Sequence, residues 1–286
     1  MKQRDFCIVG LGLLGGSYAM ALTKQGCRVT AIDIRAEAVR WAEQRGIIAD
    51  GAPDVRCGGR LLAQADAVVL GLYPQDLVPW LRANQCLLKP GAFLTDVCGV
   101  KRCIVDEVQS FLRPDVEFIP SHPMAGKEVS GVEHADDAMF APANFIITPT
   151  EKNTPAGVAF ARELAQALGF AHISQLTCEE HDKVIGYVSQ LTHAIAVSLM
   201  NANSDPRLVD YTGDSFRDLT RIAKINEELW CQLFMSNRDL LTAEIEQFEA
   251  ALTDLKEKLA AGDEEGLKEL FRRSTQRRKL FDRPQN

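Results

Sequence analysis

Residues 6–17 read Phe6-Cys7-Ile8-Val9-Gly10-Leu11-Gly12-Leu13-Leu14-Gly15-Gly16-Ser17. A short apolar run ends in glycines, and a helical pattern over residues 14–24 follows at once. The spacing G-x-G-x-x-G at Gly10, Gly12 and Gly15 predicts a strand, a tight turn and a helix. In such a turn the first glycine permits the reversal, the second lets a pyrophosphate approach the backbone, and the third lets helix and strand pack closely. The N–H groups that begin the helix attract phosphates.

The residues after this turn favour a dinucleotide-binding unit over an ordinary βαβ unit with a surface aspartate. A second predicted strand, residues 28–32, ends at Asp33, about 20 residues beyond the turn, where such folds place an acid on the ribose hydroxyls. The acid favours NAD, because it would repel the 2′-phosphate of NADP, whereas Arg35 lies close enough to weaken that preference. The predicted cofactor-binding residues are Gly10, Gly12, Leu13, Leu14, Gly15, Asp33 and Arg35.

Length and composition are those of a globular enzyme. The chain has 286 residues, 46% of them hydrophobic and 25% charged, which suits one large or two ordinary domains. The net charge of −7 argues against a nucleic-acid surface. No apolar run approaches the roughly 20 residues that span a bilayer, and the first residues run directly into a strand without a signal peptide. We expect a cytoplasmic protein.

Cysteine and histidine spacing gives no metal site. The eight cysteines are scattered without a C-x-x-C pair, so we expect reduced, buried thiols. His181 and His193 are twelve residues apart on one predicted helix. That spacing separates them by roughly 18 Å at ~1.5 Å per residue, too far for one ion along an unbroken helix. We therefore expect no metal.

The order of predicted elements indicates an α/β fold, a Rossmann-like doubly wound sheet followed by an all-helical domain. Short strands alternate with helices up to about residue 176, and almost every later segment is helical. The predicted domains are residues 1–176 and 177–286. The predicted strands are 6–9, 28–32, 67–72, 93–96, 116–120, 144–149 and 172–176. The predicted helices are 14–24, 36–45, 75–82, 101–111, 155–168, 179–202, 215–225, 230–260 and 264–278. Residues 50–60 are predicted to be loop, and residues 283–286 a frayed end.

The helix predicted over 230–260 carries a heptad-like seam. Its apolar residues recur at alternating steps of four and three: Leu241, Ile245, Phe248, Leu252, Leu255 and Leu259. Flanking charges are typical of a helix that packs between subunits. The alternative is a core-facing helix inside one subunit, and we favour packing between subunits.

Two loops at predicted strand ends and one helical stretch contain the candidate chemistry. Residues 95–101 form the first loop, and Ser121-His122-Pro123 begins the second. A histidine just beyond a strand end can serve as general base near neutral pH, although a lone loop histidine is more often structural. In the helical stretch, Arg217 and Arg221 lie three residues after acids, as surface ion pairs do. One of them can instead bind a substrate carboxylate.

Several motifs together resemble the prephenate/arogenate dehydrogenase family of tyrosine biosynthesis, over nearly the whole chain. They are the glycine turn, Asp96-x-x-x-Val100-Lys101, His122-Pro123-x-Ala125-Gly126-x-Glu128, Glu180-His181-Asp182, Gln190-Leu191-Thr192-His193-Ala194, and Phe216-Arg217-Asp218-Leu219-Thr220-Arg221-Ile222-Ala223 followed by Trp230. The order and spacing of these motifs are specific, while each alone is modest evidence.

The resemblance implies site roles and a dimer. His122 matches the catalytic histidine, and Arg221 matches the arginine that binds a substrate carboxylate. His193 and Glu128 match polar residues of the substrate pocket. His181 and Asp218 match supporting positions, which we expect to orient His193 and Arg221. The family also implies a helical C-terminal domain that forms a homodimer.

One departure from the family concerns the base. The family usually has serine just before the Val-Lys pair, where it contacts the catalytic histidine and the nicotinamide. In this sequence Gly99 stands at that position, which we count among the substrate-binding residues. Because glycine has no hydroxyl, we expect that Cys98 or water takes its place, or that His122 is oriented differently. We also expect no appended regulatory or chorismate mutase domain, so that tyrosine inhibition would act at the active site.

These residues predict an NAD-dependent prephenate dehydrogenase that forms 4-hydroxyphenylpyruvate. Arogenate is the alternative substrate, since Glu128 would favour its ammonium group. A β-hydroxyacid dehydrogenase or imine reductase would place a catalytic lysine or aspartate on the first long helix after the sheet. Lys183 is there, but the His122 loop would then be unexplained. A non-catalytic NAD-sensing protein is the other alternative, and Gly99 is its only hint.

Overall fold

The computed structural model describes residue 1 and residues 4–282, so the predicted frayed end at 283–286 lies outside the described residues. The chain divides into two compact units, Met1–Asn237 and Arg238–Asn286. The first unit contains both sheets and the first ten α-helices, and the second contains two helices.

A six-stranded parallel sheet forms the centre of the first unit, which confirms the predicted α/β fold class. Its strands are β1 Asp5–Val9, β2 Arg28–Ile32, β3 Asp50–Ala52, β4 Ala67–Leu70, β5 Phe93–Asp96 and β6 Glu117–Phe118. The strand order is β3-β2-β1-β4-β5-β6. The order reverses between β1 and β4, and in open α/β sheets ligands bind in the crevice at such a reversal, beyond the carboxyl ends of the strands.

Helices cover both faces of this sheet because successive strand residues are apolar on both sides. They are α1 Leu13–Lys24, α2 Ala36–Gln44, α3 Val55–Gln64, α4 Pro74–Asn84, α5 Arg102–Phe111 and α6 Pro155–Ala167. In β1, Phe6 and Ile8 pack into one buried cluster with α1, α2 and α6. Cys7 and Val9 point the other way, into a cluster with α3, α4 and α5. The alternation is that of a strand buried on both faces.

The prediction of a loop over residues 50–60 is wrong. These residues form β3 and the first turns of α3. Gly58 lies on the buried side of α3, where a Cβ would come within 3.0 Å of side-chain carbons of Ala52 and Ile32. The glycine therefore permits close packing of the helix on the sheet. In the sequence it was interpreted as a turn residue, which is why a loop was predicted.

The strands predicted after β6 do not extend the parallel sheet. They are β8 Asn144–Ile147 and β9 His172–Gln175, which form a separate three-stranded sheet with β7 Ser121–Met124. In it β7 pairs antiparallel with β8, and β8 pairs parallel with β9. The loop predicted at His122 is therefore a strand, in which His122 lies opposite Ile146.

The helices that complete the first unit are shorter than predicted. They are α7 Cys178–Ile185, a π-helical segment Gly186–Leu191, α8 Thr192–Asn201, α9 Asp214–Thr220 and α10 Glu227–Ser236. The single helix predicted over 179–202 is thus interrupted between His181 and His193. Such π-helical segments occur often at functional sites.

The second unit consists of α11 Arg238–Ala261 and α12 Glu264–Lys279. Four residues of the predicted seam on α11 are exposed, namely Phe248, Leu252, Leu255 and Leu259. None of the described helices combines the length and the apolar character that a bilayer crossing requires.

The cysteines differ in burial. Cys7, Cys27 and Cys98 are buried, whereas Cys57, Cys86, Cys103 and Cys231 are exposed. The expectation that the thiols are buried therefore holds for only part of them. In the described part of the chain, no group of three or more His, Cys, Asp or Glu side chains is arranged to hold a metal ion.

Candidate active site

The glycine turn between β1 and α1 is shaped for a pyrophosphate. Gly10 has φ +94°, and a Cβ at Gly15 would lie 1.9 Å from the backbone oxygen of Gly10. A Cβ at Gly12, by contrast, would meet nothing within 4 Å. Gly12 is also the N-cap of α1, and no side chain caps the helix there. The N–H groups around Leu13 and Leu14 are thus open to an anion, and the residues present fit a bound dinucleotide.

Asp33 and Arg35 lie together beside this turn. The carboxylate of Asp33 accepts the backbone N–H of Leu11 at 2.6 Å and that of Arg35 at 2.7 Å. The Arg35 guanidinium donates to the backbone oxygen of Leu11 at 3.1 Å. Both side chains therefore hold the turn, and each Asp33 oxygen retains a lone pair for a ribose hydroxyl.

A buried ion pair joins the end of β5 to the beginning of β7. The Lys101 ammonium donates to the carboxylate of Asp96, and both side chains are fully buried. The same ammonium donates to the backbone oxygen of Ser121 at 2.6 Å, and Asp96 accepts the Ser121 N–H at 3.0 Å. These bonds fix the backbone next to His122. The sequence motif contains Asp96 and Lys101, but the pattern alone gave them no role.

Behind His122 lies a second histidine held by a carboxylate. The two imidazoles meet at 2.9 Å between His122 Nδ1 and His181 Nε2. His181 Nδ1 lies 2.7 Å from Asp182 Oδ1. Asp182 also accepts the first N–H groups of the α5 region, from Lys101 at 2.8 Å and Arg102 at 2.9 Å. His181 and Asp182 are both fully buried.

Burial keeps both of these histidines neutral. It lowers the pKa of His122 well below the usual value, and the neighbouring His181 and the charge of Lys101 lower it further. Burial also lowers the pKa of His181, although the carboxylate of Asp182 opposes that shift. A neutral imidazole has a free lone pair, so His122 is ready to accept a proton at neutral pH.

The other ring nitrogen of His122 lies beside Gly99. A Cβ at Gly99 would be 3.7 Å from His122 Nε2 and 3.4 Å from Leu233 Cδ2. The expectation that the Cys98 thiol takes the place of a serine hydroxyl here is wrong. That thiol is buried and donates to the backbone oxygen of Leu72 at 3.5 Å.

A second group of polar side chains surrounds His193. The imidazole stacks on Trp230 with ring centroids 3.6 Å apart, and its Nδ1 donates to the backbone oxygen of Ser189 at 2.9 Å. Burial lowers the pKa of His193; the charge of Arg221 also lowers it and that of Glu128 raises it. The Arg221 guanidinium donates to the Glu128 carboxylate. The His193 imidazole, the Glu128 carboxylate and the Arg221 guanidinium therefore lie in one cluster.

Helix α10 joins the two groups. Trp230 stacks on His193, and Leu233, three residues later on the same face of the helix, approaches Gly99 beside His122. The buried amide of Gln190 donates to the Leu233 backbone oxygen at 3.0 Å and fixes this position. Helix α10 thus contacts both the residues beside His122 and the cluster around His193.

Comparisons with known proteins agree with this geometry. Residues 18–174 match the nucleotide-binding domain of prephenate dehydrogenase, and residues 177–273 match its dimerization domain. The chain belongs to the prephenate dehydrogenase family. It is 31% identical over 277 residues to prephenate dehydrogenase of Lactococcus lactis subsp. cremoris, covering 94% of this chain and 75% of the relative.

Two further relatives are an enzyme with a different name and a solved structure that contains bound ligands. Cyclohexadienyl dehydrogenase of Zymomonas mobilis is 28% identical over 289 residues, with 96% of this chain and 95% of the relative covered. The crystal structure of prephenate dehydrogenase from A. aeolicus in complex with hydroxyphenyl propionate and NAD+ has a TM-score of 0.90 and 30% identity, covering 99% of each chain. The family makes this chain an NAD(P)-dependent oxidoreductase with a nucleotide-binding domain and a dimerization domain.

Within this family framework, two supporting residues differ from their predicted contacts. We expected His181 to orient His193, but its imidazole contacts His122 and Asp182 instead. We expected Asp218 to orient Arg221, yet Asp218 is exposed on α9 and the described partner of Arg221 is Glu128. The other predicted site residues lie in the two groups above or in the glycine turn.

Sequence reasoning missed the role of Asp182. It lies in the Glu180-His181-Asp182 motif, where a histidine is followed directly by an acid. A capping box begins this helix, in which the Thr177 side chain accepts from the backbone of Glu180 and the Glu180 side chain accepts from that of Thr177. The cap holds the Glu180 carboxylate at the helix end, so Asp182 is the acid of the motif that is left to contact the buried His181.

Proposed function

We propose that the protein catalyses the NAD-dependent oxidative decarboxylation of prephenate to 4-hydroxyphenylpyruvate, a step of tyrosine biosynthesis. The observation that carries this proposal is that helix α10 contacts both groups: Leu233 approaches Gly99 beside His122, and Trp230 stacks on His193, whose pKa the charge of Arg221 lowers. A base and a carboxylate-binding group are the two protein groups that the reaction needs. Arogenate, which would give tyrosine, is the second candidate substrate.

His122 acts as the general base. Its Nε2 takes the proton from the hydroxyl on C4 of the substrate ring, while the ring carboxylate leaves as carbon dioxide and the ring becomes aromatic; the proton then returns to the phenolate oxygen to give the phenol. Bound NAD would supply the acceptor for the hydride of C4. Because aromatisation makes the step strongly downhill, the main task of the protein is alignment of the reacting groups.

The glycine turn and Asp33 would hold the cofactor. The open backbone at Gly12 suits the pyrophosphate, and the Asp33 carboxylate suits the ribose hydroxyls, which favours NAD over NADP. The Arg35 guanidinium is already engaged with the backbone of Leu11, which supports the same preference.

Arg221 binds a carboxylate of the substrate, and His193 and Glu128 line the same pocket. The Arg221 guanidinium is more than half exposed, so it is accessible to a ligand. Glu128 bears on the choice of substrate: its charge would attract the ammonium of arogenate and repel a second carboxylate. Since Glu128 is paired with Arg221, we assign prephenate first.

The C-terminal helices would join two copies of the chain into a homodimer. The exposed apolar residues of the seam on α11 support this assignment, because large exposed apolar groups at heptad spacing favour helix pairing. We assign the domain boundary to residue 176, between the two matched ranges, and the protein to the cytoplasm.

Steady-state rates on prephenate and arogenate, each with NAD and NADP, test the proposal. We expect the highest kcat/KM with prephenate and NAD. His122→Asn should lower kcat by about 10²–10⁴-fold, the usual scale for loss of a general base. Arg221→Ala should mainly raise KM. Turnover of neither substrate by a protein that binds NAD would overturn the assignment, and near-normal kcat in His122→Asn would remove that residue from the role.

A further inference from the structure

The hydrogen-bond chain behind His122 fixes where each proton lies. An ionised carboxylate only accepts hydrogen bonds, and Asp182 receives the N–H groups of Lys101 and Arg102, with the Arg102 guanidinium 3.6 Å away. The hydrogen between His181 Nδ1 and Asp182 therefore belongs to the imidazole.

The position of the hydrogen on His181 then determines which nitrogen of His122 carries a hydrogen. A neutral imidazole has one N–H, so His181 Nε2 is an acceptor when Nδ1 carries the hydrogen. The contact of 2.9 Å to His122 Nδ1 must then contain a hydrogen supplied by His122. With its single hydrogen on Nδ1, His122 presents a bare lone pair at Nε2, the nitrogen that lies beside Gly99.

We propose that His181 and Asp182 are positioning residues that hold His122 in the tautomer with Nε2 unprotonated, the form required of the base. The proposal deepens the function proposed above and rests on it. His181 acts through His122 and touches neither substrate nor cofactor. The N–H groups of Lys101 and Arg102 at the beginning of α5 determine these proton positions. Because Asp182 accepts from them, the direction of each later hydrogen bond, to His181 and then to His122, follows.

Lys101 and Asp96, the charged groups near His122 and His181, are paired with each other and with backbone groups. The Lys101 ammonium donates to Asp96 and to the backbone oxygen of Ser121. Asp96 accepts in addition the N–H groups of Ser121 and Cys98. The thiols of Cys98, Cys103 and Cys178 have pKa values raised by burial, so they are neutral and do not compete for a proton at neutral pH.

Asp182→Asn reverses the direction of the chain. Asp182 Oδ1 accepts from the Lys101 N–H and lies against His181 Nδ1, and Oδ2 accepts from Arg102. With its oxygen kept on the Arg102 N–H, the asparagine would lose the bond from Lys101, and its NH2 group would donate to His181 Nδ1. His181 would then carry its hydrogen on Nε2 and donate to His122, which would be protonated on Nε2 and unable to accept. We expect kcat to fall by about 10²–10⁴-fold with little change in KM, on the scale of a catalytic histidine held in the wrong tautomer.

Nitrogen NMR of protein with ¹⁵N-labelled histidine reads the tautomer directly, and the chain has only five histidines. The missing signal in His122→Asn assigns the base. We expect the Nδ1–H form in the wild-type protein and the Nε2–H form in Asp182→Asn. His172→Asn is the matched control, because His172 is exposed on β9 and should change neither kcat nor the His122 signal. An Nε2–H form in the wild-type protein, or a large loss of kcat in Asp182→Asn without a change of the His122 tautomer, would overturn the proposal.

A second pair of variants covers the case in which Asp182→Asn does not fold. Glutamine at His181 retains an amide oxygen to accept from His122 Nδ1, whereas leucine retains only bulk. His181→Gln should keep kcat within about tenfold of wild type and His181→Leu should lose about 10²-fold or more. Equal losses in both variants would refute the tautomer role. The NMR measurement needs no substrate, so it stands apart from the assay that tests the proposed function.

Discussion

Glu128 offers a test of substrate choice, because its carboxylate occupies the guanidinium that we assign to the substrate. Arg221 and Glu128 form an ion pair with side chains 63% and 34% exposed. Pairs this open to solvent contribute about 0.2–1 kcal/mol. A prephenate carboxylate must displace Glu128, so Glu128→Gln should lower KM for prephenate by about 1.4- to 5-fold, at about 1.4 kcal/mol per tenfold change.

The same substitution should help arogenate less than prephenate. The arogenate carboxylate must displace Glu128 as well, but the arogenate ammonium gains from a nearby carboxylate, so loss of the Glu128 charge removes an attraction that prephenate never had. The ratio of KM for arogenate to KM for prephenate should therefore rise. Steady-state KM values for both substrates at low ionic strength provide the measurement, with Glu163→Gln, an exposed glutamate on α6, as the matched control. If the ratio of the two KM values stayed unchanged, Glu128 would not distinguish the side chains of the substrates and this reasoning would be refuted.

Three further predictions concern the turn, the base and pH. Gly15→Ala should lower the free energy of unfolding by about 1–3 kcal/mol or more, because its Cβ would lie 1.9 Å from a backbone oxygen. Gly12→Ala should change it by less than about 1 kcal/mol while weakening NAD binding, as denaturation and NAD titration would show. Gly99→Ser should fold normally, and a hydroxyl that donates to His122 Nε2 would stabilise the neutral ring, so the acid limb of the kcat/KM profile should move to lower pH. Because burial lowers the pKa of His122 and of His181, the unfolded chain binds protons that the folded chain does not, and the free energy of unfolding should fall as the pH drops below about 6.5. A pH-independent melting temperature between pH 5.5 and 7 would contradict this last expectation.

The central sheet was predictable because its signals are local. The residues 28–32 and 93–96 were predicted at the bounds that β2 and β5 have, since each is a short apolar run between turn residues. Its glycines were ambiguous for a physical reason: glycine is needed both at reversals and where backbones approach closely. Gly10 is of the first kind and Gly58 of the second, and only the structure distinguishes them.

The second sheet was not predictable from local pattern. Its first strand, β7, pairs with β8 about twenty residues later, and β9 follows only after α6. Strands joined by long connections carry no turn signal for their partners, so residues 144–149 and 172–176 were assigned to the parallel sheet. The prediction of β8 and β9 as strands was right, β7 was missed as a loop, and the pairing was wrong.

The site shows the same division between local and distant information. The resemblance selected His122, His193 and Arg221 as candidates, and their roles stay predictions. The contact between His122 and His181 joins residues 59 positions apart, and nothing in the spacing of the sequence indicates it. The adjacent acid in the Glu180-His181-Asp182 motif was the available signal, because a buried histidine usually has its second nitrogen bonded.

His122 and Arg221, which we assign as base and carboxylate-binding group, lie in segments of different regularity, and this bears on the proposed choice between prephenate and arogenate. His122 lies within a strand, opposite Ile146, and the Lys101–Asp96 pair fixes the backbone beside it. Arg221 begins a short 3₁₀ turn, and Glu128 lies outside the helices and strands. In the proposed reaction, removal of the proton from the C4 hydroxyl is common to prephenate and arogenate, so that part gains from rigidity. We propose that the side chain that distinguishes the two substrates lies at the less regular part, where single substitutions such as Glu128→Gln change preference without disturbing His122.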